Sequence, residues 1–224
     1  SREPAISEPG LEACKEVARA PGFEEVLSEH VLRWEELWDM CSLELEGQEL
    51  ASAVSHLHIF HLLGNISGHT AELDAGVPAR GLSGEAYRGH VFWDALFVFP
   101  FFNLRLPGLT RTLIRYRHRR LKRARWAAAD AGYEGAMYPW QSGSNGEELT
   151  PKVHFNPRSG RWIPDNSRLQ RHINAAIAYD IWRYHQATND VTLLAFYGAE
   201  IFIEIARFWA SIATHDPARD RYVM

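Results

Sequence analysis

Residues 81–102, Gly-Leu-Ser-Gly-Glu-Ala-Tyr-Arg-Gly-His-Val-Phe-Trp-Asp-Ala-Leu-Phe-Val-Phe-Pro-Phe-Phe, run from a glycine-rich loop into an almost wholly apolar segment. The loop carries Glu85, Tyr87, Arg88 and His90, and the apolar segment holds one aromatic–carboxylate pair, Trp93-Asp94. A carboxylate set among Val91, Phe92, Leu96, Phe97 and Phe99 is costly to bury unless it is hydrogen-bonded or paired. A tryptophan beside a carboxylate suits a hexose, whose C–H face packs on the ring while its hydroxyls donate to the acid. The same residues also fit a structural acid satisfied by Arg88 or by backbone amides.

A second loop repeats the theme. Gly135-Ala136-Met137-Tyr138-Pro139-Trp140-Gln141-Ser142-Gly143-Ser144-Asn145-Gly146-Glu147-Glu148 mixes aromatics with amide, hydroxyl and carboxylate groups. Its glycines allow close backbone approach, and such a mixture offers both faces and edges to a polyhydroxylated ligand. Tyr138, Trp140, Gln141 and Glu148 are therefore candidates, together with Arg88, Trp93 and Asp94. The alternative is an ordered loop whose aromatics anchor it to the core.

Other chemistries find less support. The run Arg111 to Arg125 is densely basic, but Leu113, Ile114, Leu121, Ala124 and Ala128 lie among the charges at helical spacing. It reads as an amphipathic helix with a solvated basic face, arginine stems covering apolar surface. The net charge of −4 likewise gives no support to nucleic-acid or membrane-surface binding. His56, His58, His61 and His69 cluster without the His-Glu-x-x-His spacing of a zinc site, so no metal is expected. Phosphate-binding Walker loops, dinucleotide fingerprints and Gly-x-Ser-x-Gly elbows are missing, and no cofactor is implied.

The elements that must position these loops are helical. Phe23, Val26, Leu27, Val31, Trp34, Leu37, Trp38, Cys41 and Leu45 recur at three- and four-residue steps. Further helices are expected over 48–66, 90–104, 108–131, 168–188 and 191–214, although the aromatic and Val content of 90–104 would also fit a strand; strand-like alternation is otherwise almost absent until the last few residues. Long connections at about 67–89 and 133–166 interrupt them, and loops of that length are usually functional. Residues 1–22 read as a linker segment and 23–224 as the helical domain. Fold class is all-α, with paired antiparallel helices and the chemistry in the loops.

The 224 residues suffice for one large domain, and apolar and charged fractions are ordinary for a globular protein. Cys14 and Cys41 make no disulfide framework and read as reduced thiols of a reducing compartment, so a cytoplasmic location is expected. The apolar run Val91 to Phe102 contains Asp94 and Pro100 and falls short of the roughly 20 residues of a membrane span. After His215-Asp216-Pro217 the chain ends on the apolar, strand-like Tyr222-Val223-Met224, which reads as a piece of a longer protein.

The run from Ala79 to Asp94 resembles the catalytic domain of glycoside hydrolase family 65, which includes maltose, trehalose and kojibiose phosphorylases and some α-glucoside hydrolases. Gly135 to Glu148 resembles the family's second loop, and Gln170-Arg171-His172-Ile173-Asn174-Ala175-Ala176-Ile177-Ala178-Tyr179 its following helix. With Trp34 and Trp38, the likeness covers roughly residues 25–224.

The resemblance implies an (α/α)6 barrel, of which this chain would supply about half the twelve helices. It matches Trp93 and Asp94 to the pair that holds the non-reducing glucosyl unit, and Arg88 with the Tyr138–Glu148 loop to the pocket wall. It places the general-acid glutamate just beyond Met224 and the phosphate contacts further on, so no catalytic residue is expected in these residues and the chain alone should be inactive. One departure stands out: Ala95 and Leu96 occupy positions where family members usually carry a glutamate.

The implied partner is an α-linked glucose disaccharide of the trehalose, maltose or kojibiose type, cleaved by phosphate or water with inversion. Inorganic phosphate would be the co-substrate of a phosphorylase, and a homodimer is expected of the full-length protein. The alternative is a non-catalytic helical domain that binds sugar or protein. A half barrel would also leave stripes such as Ile201–Ile212 without neighbours.

Overall fold

A computed structural model describes residues 9–68, 74–81, 84 and 86–224. His69, Ser83 and Glu85, which figured in the sequence reading, lie outside the described residues. The chain divides into two compact units, residues 1–64 and 65–224.

The first unit contains helices α1 (Pro9–Arg19) and α2 (Phe23–Cys41) and nearly all of α3 (Glu49–Asn65). Helix α1 lies within the stretch expected to be a linker. Glu24 and Glu25 sit in the first turn of α2, where carboxylates favour the positive end of the helix dipole. The stripe expected to reach Leu45 stops at Cys41, because Ser42 turns the backbone extended. Aromatic contacts join α2 to α3: Trp34 stacks on Phe60 at 5.1 Å, and Trp38 meets His56 edge-on at 5.4 Å.

The second unit carries the candidate loops. Its helices are α4 (Ala95–Arg105), α5 (Pro107–Arg119), α6 (Leu121–Asp130), α7 (Ile173–Thr188) and α8 (Ala199–Ile212). Helix α4 packs on α7 and α5 around Phe102, Ile114, Ile173 and Ile181, all essentially inaccessible. Ile201, Ile205 and Phe208 of α8 are buried within the chain as well, so the α8 stripe does not stand uncovered. Exposed apolar side chains in this unit include Phe97 and Leu104 of α4, Trp182 of α7 and Ile203 on the other side of α8.

Three local departures from the sequence reading have physical causes. The helix expected over 90–104 begins only at Ala95, because Val91 is drawn into an extended bridge with Ser142. The helix expected over 108–131 is two helices, broken at Arg120, whose side chain leaves the helical face to hold two loops. The connection 133–166 contains an antiparallel hairpin, β1 (Val153–Asn156) with β2 (Arg161–Pro164), pairing Phe155 with Trp162. Both of its faces are largely exposed, so the apolar–polar alternation that marks a half-buried strand is missing. A second hairpin, β3 (Thr214–Asp216) with β4 (Arg221–Val223), follows α8.

The basic run of α5 and α6 is engaged with internal acids. Arg111 pairs with Asp190, Arg119 and Arg120 with Asp74, Arg123 with Glu147, and Arg125 with Glu200 and Glu204. No helix among the described residues is long and apolar enough to cross a membrane.

Candidate active site

The two loops meet along one extended bridge. Val91 N–H donates to Ser142 O at 3.1 Å and Ser142 N–H donates back to Val91 O at 2.9 Å. The bridge brings the residues that follow Val91 beside those that precede Ser142. Trp93 and Trp140 consequently stand 6.2 Å apart, tilted by 37°.

His172, at the start of α7, closes this corner at 5.4 Å from Trp93 and 4.9 Å from Trp140. Phe92 meets the Trp140 edge at 5.6 Å and Phe97 meets Trp93 at 5.3 Å. Three elements distant in sequence thus supply one aromatic corner, whose ring faces suit the C–H face of a pyranose.

Asp94 caps α4 from the αR region, partly buried, with its side chain making no bond to a backbone amide of the first turn. Burial pushes its carboxyl above the ordinary carboxylate range, against a hydrogen bond from its own backbone. Arg88 stands exposed in a tight turn, and among the described residues it forms no ion pair with Asp94. The carboxylate therefore keeps acceptor capacity beside the corner.

The turn itself is strained. Tyr87 and Arg88 take φ of 64° and 53°, left-handed values that cost non-glycine residues about 1–3 kcal/mol each. His90 N–H closes that turn onto Tyr87 O at 2.9 Å. The Gln141 side-chain amide meets His90 Nδ1 at 2.6 Å, tying the loops a second time.

The remaining candidates hold the second loop. The Glu148 carboxylate accepts from Trp140 N–H at 2.7 Å, Gln141 N–H at 3.2 Å, Thr150 N–H at 3.1 Å and the Thr150 hydroxyl at 2.6 Å. It acts as a latch under Trp140. Tyr138 is fully buried; its hydroxyl donates to Arg117 O at 3.0 Å and its N–H to Asn174 Oδ1 at 2.8 Å. Burial raises its phenol well above the ordinary range. Tyr138 thus anchors the loop from inside, whereas Trp140 faces the corner.

Arg120 fastens both loops from beneath. Its guanidinium donates to both carboxylate oxygens of Asp74 in the first loop, at 2.9 and 3.1 Å, and to Ser144 O in the second at 3.0 Å. It also lies 3.6 Å over the Tyr116 ring, and the Tyr116 hydroxyl donates to Gly143 O at 3.0 Å.

The sequence reading missed His172 and Arg120 as parts of this assembly. His172 could have been noticed from its place in Gln170-Arg171-His172, just before an apolar helix. Arg120 carries no local mark, being one basic residue among many. No group of three or more His, Cys, Asp or Glu side chains among the described residues could hold a metal ion. A cleft of about 690 Å³ runs beside the second loop, lined by Arg123, Trp126, Pro139, Glu147 and Arg171 among others, but not by Trp93, Asp94 or Trp140.

Comparison with known proteins places this mostly helical fold in a family. Residues 56–224 match the glycosyl hydrolase family 65 central catalytic domain, and the chain belongs to that family.

An uncharacterized glycosyl hydrolase of Mycobacterium tuberculosis is 51% identical over all 224 residues, which make up 17% of its length. A kojibiose phosphorylase of Caldanaerobacter subterraneus is 41% identical over 205 residues, 90% of this chain and 26% of that protein. A trehalose 6-phosphate phosphorylase of Lactococcus lactis is 42% identical over 183 residues, covering 80% of this chain and 24% of that protein. The chain therefore spans about a quarter or less of these relatives.

Among solved structures, a human-microbiome protein assigned as a kojibiose phosphorylase superposes with a TM-score of 0.78 at 21% identity. That match covers 99% of this chain and 28% of the other, and it supports the reading of the fold as part of a helical barrel.

Proposed function

We propose that this chain forms the glucosyl-holding part of the catalytic domain of an inverting phosphorylase acting on an α-linked glucose disaccharide. The observation that carries the reading is the convergence of Trp93-Asp94 with Trp140 in one corner, in a chain whose family relatives include named phosphorylases. The indoles take the C–H face of the terminal glucose and Asp94 accepts hydrogen bonds from its hydroxyls. Charged acceptors are worth roughly 1.5–3 kcal/mol per bond. Glu148, Gln141 and Arg120 act behind them, keeping the second loop against the first.

On this reading inorganic phosphate is the co-substrate. It attacks the anomeric carbon from the face opposite the leaving oxygen, while a carboxylic acid supplied elsewhere in the catalytic domain protonates that oxygen. An inverting hydrolase would instead need a second carboxylate to activate water, roughly 6.5–9.5 Å from the first. Trehalose, maltose and kojibiose are the substrates to try first, with nigerose and trehalose 6-phosphate added by the names of the relatives.

The test is an assay of the full-length protein on each disaccharide with and without phosphate. Phosphate-dependent formation of glucose 1-phosphate with inverted anomeric configuration is the expected result. Phosphate-independent release of glucose would replace the phosphorylase by a hydrolase, and no turnover of any α-glucoside would overturn the reading.

A further inference from the structure

Behind the Trp93-Asp94 pair lies a buried cation. Arg117, on α5, is 7% exposed, and its Nη2 donates to the carbonyl oxygen of Phe92 at 2.6 Å. That carbonyl belongs to the peptide plane joining Phe92 to Trp93, so a bond to it fixes the orientation from which the indole departs. It precedes the first turn of α4, whose own bonds begin with Leu96 N–H to Trp93 O and Phe97 N–H to Asp94 O. The charge-assisted bond from Arg117 is of the stronger kind.

The arginine is held in turn. Its backbone carbonyl accepts from the Tyr138 hydroxyl, so the second loop and the clamp on the first share one residue. Across a cavity of about 20 Å³, room for a single water, it faces Asp180 of α7. Tyr116, Tyr138 and Arg120 are its other electrostatic neighbours. A buried guanidinium is costly to keep, and placing one on the single carbonyl that leads into Trp93 puts that cost where geometry matters most.

We propose that Arg117 is the positioning residue of the Trp93-Asp94 pair: by clamping the Phe92 carbonyl it sets where the indole and the carboxylate stand. Its bearing on catalysis rests on the sugar-holding reading above; the positioning itself does not.

The test labels the full-length protein with 5-fluorotryptophan, assigns Trp93, Trp140 and Trp209 by substitution to phenylalanine, and compares Arg117→Met and Arg117→Lys with the parent. The Trp93 resonance should shift or broaden in Arg117→Met and return most of the way in Arg117→Lys, while Trp209 keeps its position in both. Should Arg117→Met fail to fold, Arg117→Met/Asp180→Asn makes the same comparison with no titratable carboxyl left buried opposite the methionine. A sharp, unmoved Trp93 in folded Arg117→Met, or in folded Arg117→Met/Asp180→Asn, overturns the proposal, as does an equal disturbance of all the tryptophans. In parallel kinetics kcat/KM for the disaccharide should fall by up to about 10²-fold in Arg117→Met, the cost of misplacing a reacting group by about an ångström. A parent protein that turns over no α-glucoside would remove the function reading and leave the fluorine comparison to decide this one.

Discussion

Trp140 rests on Glu148: its backbone N–H donates to the Glu148 carboxylate at 2.7 Å, while its ring meets Trp93 and His172 on the other side. The carboxylate that sequence reading placed in the pocket wall thereby sets the position of an aromatic group in the site.

Glu148→Ala should therefore lower stability and sugar affinity together. Losing the acceptor of these four bonds in a solvated setting costs about 1 kcal/mol for each bond that counts. Glu148→Gln, which keeps the shape and part of the acceptor capacity, should fall between. Melting temperature and sugar affinity measured on the same preparations check this. Lost affinity at unchanged melting temperature would show instead that the carboxylate touches the sugar directly.

Gly135 starts the second loop at φ 69°, and Ala136 N–H beside it donates to Glu204 O of α8 at 2.9 Å. A Cβ at Gly135 would collide with the Glu204 carbonyl oxygen and the Phe208 nitrogen. Gly135→Ala should destabilise the protein by more than about 1 kcal/mol, the usual cost of the left-handed region alone. Chemical denaturation reads this directly, and wild-type stability in the variant would mean that the loop leaves α8 by another path.

Burial pushes the Asp180 carboxyl up to about 8, with Arg117 pulling the other way. The folded state then keeps a proton that the unfolded chain releases near the ordinary carboxylate value. Stability from this group is greatest in acid, falls as pH rises from about 4 to about 8, and is level beyond. Asp180→Asn removes that slope, so the variant should gain on the parent by an amount on the order of a few kcal/mol between pH 5 and pH 8. Urea denaturation at the two pH values gives the comparison; parallel behaviour of the two proteins would mean that Asp180 is ionised in the fold.

Much of this was legible in the residues because one periodicity and one loop composition are strong. The apolar stripes of α2, α7 and α8 announce helices, and the glycine-punctuated, aromatic-rich loops announce where those helices stop. The pairing of the loops was less so. Val91 and Ser142 are joined by backbone bonds that any two residues could make. Arg117 and Arg120 read as a solvated basic face because helical spacing cannot tell which arginine turns inward to meet a carbonyl or Asp74. Tyr138 and Trp140, two residues apart in an irregular loop, face opposite ways for the same reason: burial there is decided by Asn174 and Arg117, which are remote in sequence.

The central claim, that Trp93 and Asp94 hold the terminal glucose, is tested most directly by Asp94→Asn in the full-length protein, with kcat/KM and melting temperature taken on one preparation. Asp94 is partly buried beside Trp93 and has no ion pair among the described residues, so little of the fold depends on its charge. Losing one or two charged acceptor bonds at roughly 1.5–3 kcal/mol each implies a fall in kcat/KM of about ten- to 10⁴-fold, at nearly unchanged melting temperature. A large drop in melting temperature with kcat/KM intact would contradict the account and make Asp94 a structural acid.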